Sequence, residues 1–309
     1  MNTIVATLNQ TAFLFGLIII GYVLSKAKIV PHNGAGVLSK LESFVFIPAL
    51  VMGTFMENFT VDKIKGYGVL LAVSGVITIV GAIFAVVVSK LFTKDKYIQN
   101  IYTYGLAFSN FGFMGNAVVK SMFPEIFMEY LLFTLPFWIL IYLWGVPCLL
   151  MADTDSKPSL GKTLKAFVNP MFIAMIAGMI IGIVKLPLPP FISSIVEVSG
   201  DCMSPVAMLL TGMVVSSVSL KKTFTNLRTY GITIVRLVVM PLAFIGISRF
   251  VSVPETAYVC SVCALAMPLG LNTIVIPSGL GKDSSEAAGM ALISHLVSCI
   301  SIPLIFALV

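Results

Sequence analysis

The chain has 309 residues, of which 58% are apolar and only 10% charged, and its mean hydropathy is +1.04. A soluble domain carries about a quarter charged residues, so this composition excludes one and points to an integral membrane protein. The net charge of +6 sits in short connecting segments. No basic low-complexity or amphipathic stretch is present, so no nucleic-acid partner is expected.

Spanning the hydrocarbon takes about 20 apolar residues. On that measure the sequence predicts ten spans, roughly 4–25, 37–56, 66–91, 98–119, 127–151, 166–186, 190–217, 228–250, 255–277 and 286–308. The first lacks a basic flank and a small-residue cleavage site, so it reads as a helix of the mature protein. Span 2 opens near Glu42, which stands close to Lys40 and is expected at the membrane interface, and it contains Pro48.

Span 4 contains YGLAFSNFGFMGNAVVK, residues 104–120, apolar enough for a membrane but wrong in its middle. Ser109, Asn110 and Asn116 are polar, and Gly112 and Gly115 are poor helix formers. Span 7 carries Glu197 and Asp201, one turn apart on one helical face, followed by Pro205. Glu197 can reach the outer interface, whereas Asp201 is expected deeper, and the pair suits proton or cation uptake. Span 8 holds Arg236, too far in to be a loop charge. It either grips a carboxylate bidentately, or snorkels or caps a helix C-terminus. Span 9 repeats the anomaly of span 4 in CALAMPLGLNTIVIPSG, residues 263–279, with Pro268, Gly270, Asn272 and Thr273. His295 in span 10 is a titratable group or a hydrogen-bonded packing residue.

The five cysteines, Cys148, Cys202, Cys260, Cys263 and Cys299, fall in apolar segments. An odd, membrane-buried set is no disulfide framework, and the Cys260/Cys263 pair has no companion pair or histidine cluster. No metal and no cofactor are expected. HExxH, GxSxG and paired-histidine motifs are missing, so the chain is not expected to be an enzyme, and without GxxxxGK[ST] it should not hydrolyse ATP.

Orientation follows from lysine and arginine counts. With the N-terminus outside, 13 fall on the cytoplasmic side against 5 outside, Arg236 apart. Both termini are therefore expected to be extracytoplasmic, in a multi-pass protein of the cell's inner (plasma) membrane.

The longest connection, 152–165, is expected as a cytoplasmic linker between residues 1–151 and 166–309, two halves of five spans. Pro205 lies 157 residues after Pro48, and the same offset carries Ala107 to Ala264 and Asn110 to Met267, beside Pro268. Five is odd, so the second half enters from the opposite side and the repeats are inverted. In hydrocarbon every backbone group needs a partner. Proline removes a donor and glycine eases unwinding, so spans 4 and 9 are expected to break and cross near the midplane. Each break exposes a half-helix N-terminus that attracts an anion.

Asn110-Phe-Gly-Phe-Met-Gly115, with Met267-Pro-Leu-Gly-Leu-Asn272 in the second half, resembles the auxin efflux carrier family. That family includes bacterial permeases proposed for malate and malonate and the plant PIN-FORMED carriers. The likeness extends through the prolines of spans 2 and 7, Asn169-Pro170 and Arg236–Pro241. It implies an all-α membrane fold of ten helices in two inverted repeats, sodium/bile acid symporter-like. Spans 1, 2, 6 and 7 would be a scaffold, and spans 3–5 and 8–10 a mobile transport domain. Plant carriers have a proline at the span 4 crossover where this chain has Gly112 and Gly115, and their long cytoplasmic loop is absent here.

The function expected is secondary transport of a small organic anion such as a carboxylic acid, by an elevator-like motion linked to protons or sodium or driven by the substrate gradient. Ser109, Asn110, Gly112, Gly115, Asn116, Pro268, Gly270, Asn272, Thr273 and Arg236 are the substrate-site candidates. Asp201, Glu197 and His295 are the coupling candidates. The bilayer is the expected surrounding, and a homodimer stays open. The alternative is a channel or receptor-like module without coupled transport, although a channel should show a polar stripe along several helices, and polarity here is concentrated at two points.

Overall fold

The computed structural model describes residues 3–31, 33–152, 170–217 and 219–308. Apart from Ala152, the expected linker 152–165 lies outside the described residues, as does Asn169. In chain order the main helices are α1 (Thr3–Lys26), α2 (Gly34–Asn58), α3 (Gly68–Phe92) and α4a (Lys96–Ala107). Next come α4b (π-helical over Phe111–Gly115, continuing as Asn116–Met122), α5 (Pro124–Leu150) and α6 (Pro170–Val184). The chain ends with α7 (Pro190–Ser217), α8 (Leu227–Ser248), α9a (Glu255–Ala266), α9b (Asn272–Gly279) and α10 (Ser285–Phe306). Of these, α2, α3, α5, α7, α8 and α10 are long and apolar enough to cross a membrane by length and composition. Six of the ten expected spans are thus helices of full crossing length. No strand is present among the described residues.

These helices are packed the way lipid demands. In α3 the buried positions after Leu70 are Ser74, Thr78, Ala82, Ala85 and Ser89, on one stripe at helical spacing. The exposed positions include Val76, Ile79, Val80, Ile83 and Val87. Small and polar groups face inward and large aliphatic ones outward, the reverse of a soluble helix and the pattern of membrane packing. The inward hydroxyls are all engaged: Ser74 donates to the Phe133 carbonyl, Thr78 to Ser74 O at 2.7 Å, and Ser89 pairs with Thr103 at 2.7 Å. The chain is a multi-pass membrane protein.

Two tight helix pairs form one side of the molecule, α1 on α7 and α6 on α2. In the first, a side chain at Gly21 would collide with the backbone of Leu209; in the second, one at Gly178 would collide with the backbone of Met52. Gly178 and Leu209 lie 157 residues beyond Gly21 and Met52. The offset read from the prolines thus also relates two backbone contacts. Between them, α2 packs on α7, with Gly200 against Leu50.

The expected breaks are present. α9a stops at Ala266 because Pro268 has no N–H to donate and drives Met267 out of the helical region, to φ −72°, ψ 147°. α4a stops at Ala107, and Phe108 is extended at φ −122°, ψ 108°. The two broken segments then lie side by side. Ser109 and Leu269 form an antiparallel bridge, and the Asn110 N–H donates to Pro268 O at 2.7 Å. This contact is close enough that a β-carbon on Gly270 would meet Phe108 O at 2.8 Å.

Candidate functional site

The residues singled out in the sequence fall into two neighbouring groups, a buried crossing and an open crevice. At the crossing, Asn110 caps α4b by accepting from the Met114 N–H with its side-chain oxygen at 3.3 Å. Its amide nitrogen lies 2.9 Å from Nε2 of His295. The other ring nitrogen, Nδ1, is 2.7 Å from Ala291 O, a group that can only accept. Nδ1 therefore carries the proton, Nε2 accepts from Asn110, and the ring is neutral. Ser109 donates to Ala264 O at 2.7 Å, and Thr273 to Gly270 O at 2.8 Å. Asn272 donates to the Tyr104 hydroxyl at 2.8 Å, while its own side-chain oxygen has no partner among the described residues. Pro268, Gly270 and Gly115 are buried in the same knot.

Arg236 is fully buried, on a π-helical turn of α8 over Val235–Val239. Its guanidinium donates to Leu106 O at 2.9 Å, Ala264 O at 3.1 Å and Met267 O at 3.3 Å. Those carbonyls stand at the C-terminal ends of α4a and α9a, where the last turn of a helix leaves acceptors unpaired and the dipole is negative. One planar fork thus ties both broken helices together. Of the alternatives open from the sequence, capping of helix C-termini is the arrangement present.

The crevice has a volume of ≈ 450 Å³ and lies between α2 and α7 on one side and α4b and α5 on the other. From α4b it receives Gly112, Asn116 and Lys120, a single face at four-residue spacing. Gly112 is needed here because a β-carbon would meet the Trp138 ring at 2.8 Å. Gly112 lies in the first turn of α4b, so that turn stands at the wall of the crevice. Asn116 presents a buried side-chain oxygen without a partner among the described residues. Glu57, Glu197 and Asp201 line the opposite side.

Asp201 departs from its expected depth. It is exposed, as is Glu197. The buried face of α7 runs through Val196, Gly200, Met203 and Ala207 against its neighbours, so Asp201, one position past Gly200, turns out into the crevice. Glu42 departs in the other direction. It is fully buried, and neither of its carboxylate oxygens has a partner among the described residues. Other residues of the site gave no signal in the sequence. Tyr104 and Tyr130, which donates to Phe111 O at 3.3 Å, look like packing aromatics, and Lys120 looks like a loop charge.

The structure therefore brings Gly112, Asn116, Glu197 and Asp201 to one open space. It places Ser109, Asn110, Gly115, Pro268, Gly270, Asn272, Thr273, Arg236 and His295 in the buried framework behind it. The five cysteines are free thiols, and the described residues contain no cluster of three or more metal-ligating side chains.

A family model described as "Membrane transport protein" matches residues 6–161 and 157–306, nearly the whole chain. No curated protein matches it.

Proposed function

The chain belongs to the membrane transport protein family, that of the auxin efflux carriers, and on that premise we propose that it is a secondary transporter of a small organic acid. The carrying observation is the crevice: one wall is α4b, the second half of a broken helix, with α5, and the other is α2 packed on α7. A volume of ≈ 450 Å³ suits a small molecule, since ligand pockets run about 300–1,000 Å³. The N–H groups of the first turn of α4b and the Asn116 amide would hold a carboxylate, and Lys120 would attract it.

In this reading the fold is ten spans in two inverted repeats. The helices α1, α2, α6 and α7 are the fixed scaffold. The helices α3–α5 and α8–α10 move as one body, carrying the crossing up and down in an elevator-like motion. The shared 157-residue offset of the Gly21–Leu209 and Gly178–Met52 contacts supports the repeat. Arg236, bridging α4a, α9a and α8, supports treating these as a unit. The crevice is lined by the Glu57–Asn58 end of α2, which the lysine count assigns to the outside, so in this reading the conformation is outward-open.

Three acids and one lysine line the crevice, so an entering anion meets net negative charge that a co-transported cation, proton or sodium, would offset. The same lining favours a second reading, in which the substrate carries a positive group. Uptake by purified protein in liposomes, with malate, malonate and a cationic amine under imposed pH or sodium gradients, separates the two. Acid accumulation that follows the pH gradient supports the first; amine accumulation alone supports the second.

A further inference from the structure

We infer that Glu42 is a proton-binding site that reports and drives the position of the moving body, a role resting on the two-body reading above. Glu42 stands on a π-helical turn of α2, Glu42–Phe46, a local geometry frequent at functional sites. Its residue is 0% exposed, and both carboxylate oxygens lack a hydrogen-bond partner among the described residues. The neighbouring Ser43 Oγ is unpartnered as well. An ionised carboxylate without partners in an apolar interior is too costly to persist, so the group there is the neutral acid.

The surroundings say when that changes. Ser39, Glu42 and Ser43 share one face of α2. Ser39 donates to the Val275 carbonyl of α9b, and Gly279 of α9b approaches so closely that its β-carbon would sit 2.9 Å from Ser39 Oγ and 3.6 Å from Ser43 Oγ. Thus α9b, the second half of a broken helix, lies over the half of α2 that holds Glu42. Meanwhile α4b faces the open crevice along the other half. The elements packed on the Glu42 turn are α6, α7 and α9b, besides α2 itself. Neither α6 nor α9b carries an ionisable group other than thiol or hydroxyl; α7 carries Glu197 and Asp201, both in the open half; and Lys40 on α2 is exposed. Glu42 is therefore the closed half's counterpart of Glu197 and Asp201. When α9b slides away, water reaches Glu42, and the acid gives its proton to water to leave a carboxylate. When α9b returns, the carboxylate takes a proton back before burial. The ligand is a proton, because a buried carboxyl with both oxygens unpartnered is the neutral acid, and no ionisable side chain of α6 or α9b stands beside it among the described residues.

The test uses thiol labelling of Ser193→Cys, a position on the crevice wall. It is carried out on the full chain in liposomes across a pH series, with each rate normalised to the unfolded protein and corrected for the native cysteines. With Glu42 intact, labelling is expected to be fast at low pH and to slow as pH rises. In Glu42→Gln it should stay fast at every pH, and in Glu42→Asp the dependence should return. The same pH dependence in Glu42→Gln, or none with Glu42 intact, overturns the proposal. The readout needs no substrate. Intact pH dependence with no acid uptake would strike the transport reading alone, whereas acid uptake with an unchanged Glu42→Gln profile would strike Glu42 alone.

Discussion

The Asn110 side-chain nitrogen lies 2.9 Å from Nε2 of His295, joining the cap of α4b to the middle of α10 inside the buried crossing. Because Nδ1 is committed to Ala291 O, this pair fixes both the tautomer of the ring and the orientation of the amide. The neighbourhood of the two broken helices is built of such single-solution contacts. Mutations there should act first on the integrity of this crossing.

His295→Ala leaves the Asn110 amide buried without its acceptor, at a cost of about 1–3 kcal/mol. The thermal midpoint of the detergent-solubilised protein should fall. His295→Gln, which can still accept from Asn110, should recover part of the loss. Equal midpoints for the Ala variant and the parent would contradict the pairing.

Arg236→Lys should behave as a disruptive change despite keeping the charge. An ammonium cannot span carbonyls on α4a and α9a as the planar fork does. At least one buried carbonyl is then unsatisfied, costing about 1–3 kcal/mol. Gel-filtration profiles after mild heating should show loss of the folded peak for Arg236→Lys. Survival equal to the parent would mean that the fork is dispensable.

Gly270→Ala places a β-carbon 2.8 Å from Phe108 O, so the two breaks must separate. Overpacking of this kind costs about 1–3 kcal/mol. Gly16→Ala, inside α1 where nothing lies within 4 Å, is the matched control and should be no less stable than the parent, with a gain of up to about 1 kcal/mol. Denaturation midpoints of the two variants give the comparison.

At the crevice, Asp201→Asn and Glu197→Gln each remove one of three negative charges facing Lys120 and Asn116. For an anionic substrate, KM measured at neutral pH and low salt should fall in both variants, and the effect should shrink as salt is added. A rise in KM would point instead to a cationic substrate.

Much of this arrangement is legible in the sequence, for physical reasons. Pro268 cannot continue a helix, and a proline, glycines and asparagines in two spans at one offset mark both helices as broken. What composition cannot mark is which way a side chain turns. Asp201 sits mid-span by count, yet its helix buries Gly200 and turns Asp201 outward. Glu42 sits near the span's start beside a lysine, a position that reads as interfacial, and it is the packing of α6, α7 and α9b around that turn that buries it. Arg236 has two equally good uses by sequence, and only the meeting of Leu106, Ala264 and Met267 at one point selects between them.

Asn116 is the residue on which the transport reading turns, since its side-chain oxygen is unpartnered among the described residues and it lines the crevice beside the first turn of α4b. The direct measurement is saturable uptake of radiolabelled malate and malonate into liposomes under an imposed pH gradient, comparing the unaltered chain with Asn116→Ala. The expected result is gradient-dependent accumulation of at least one acid, with kcat/KM reduced roughly tenfold or more in Asn116→Ala at unchanged folding. Uptake by Asn116→Ala equal to that of the unaltered chain would contradict the site, and no accumulation of either acid under any gradient would contradict the proposed function.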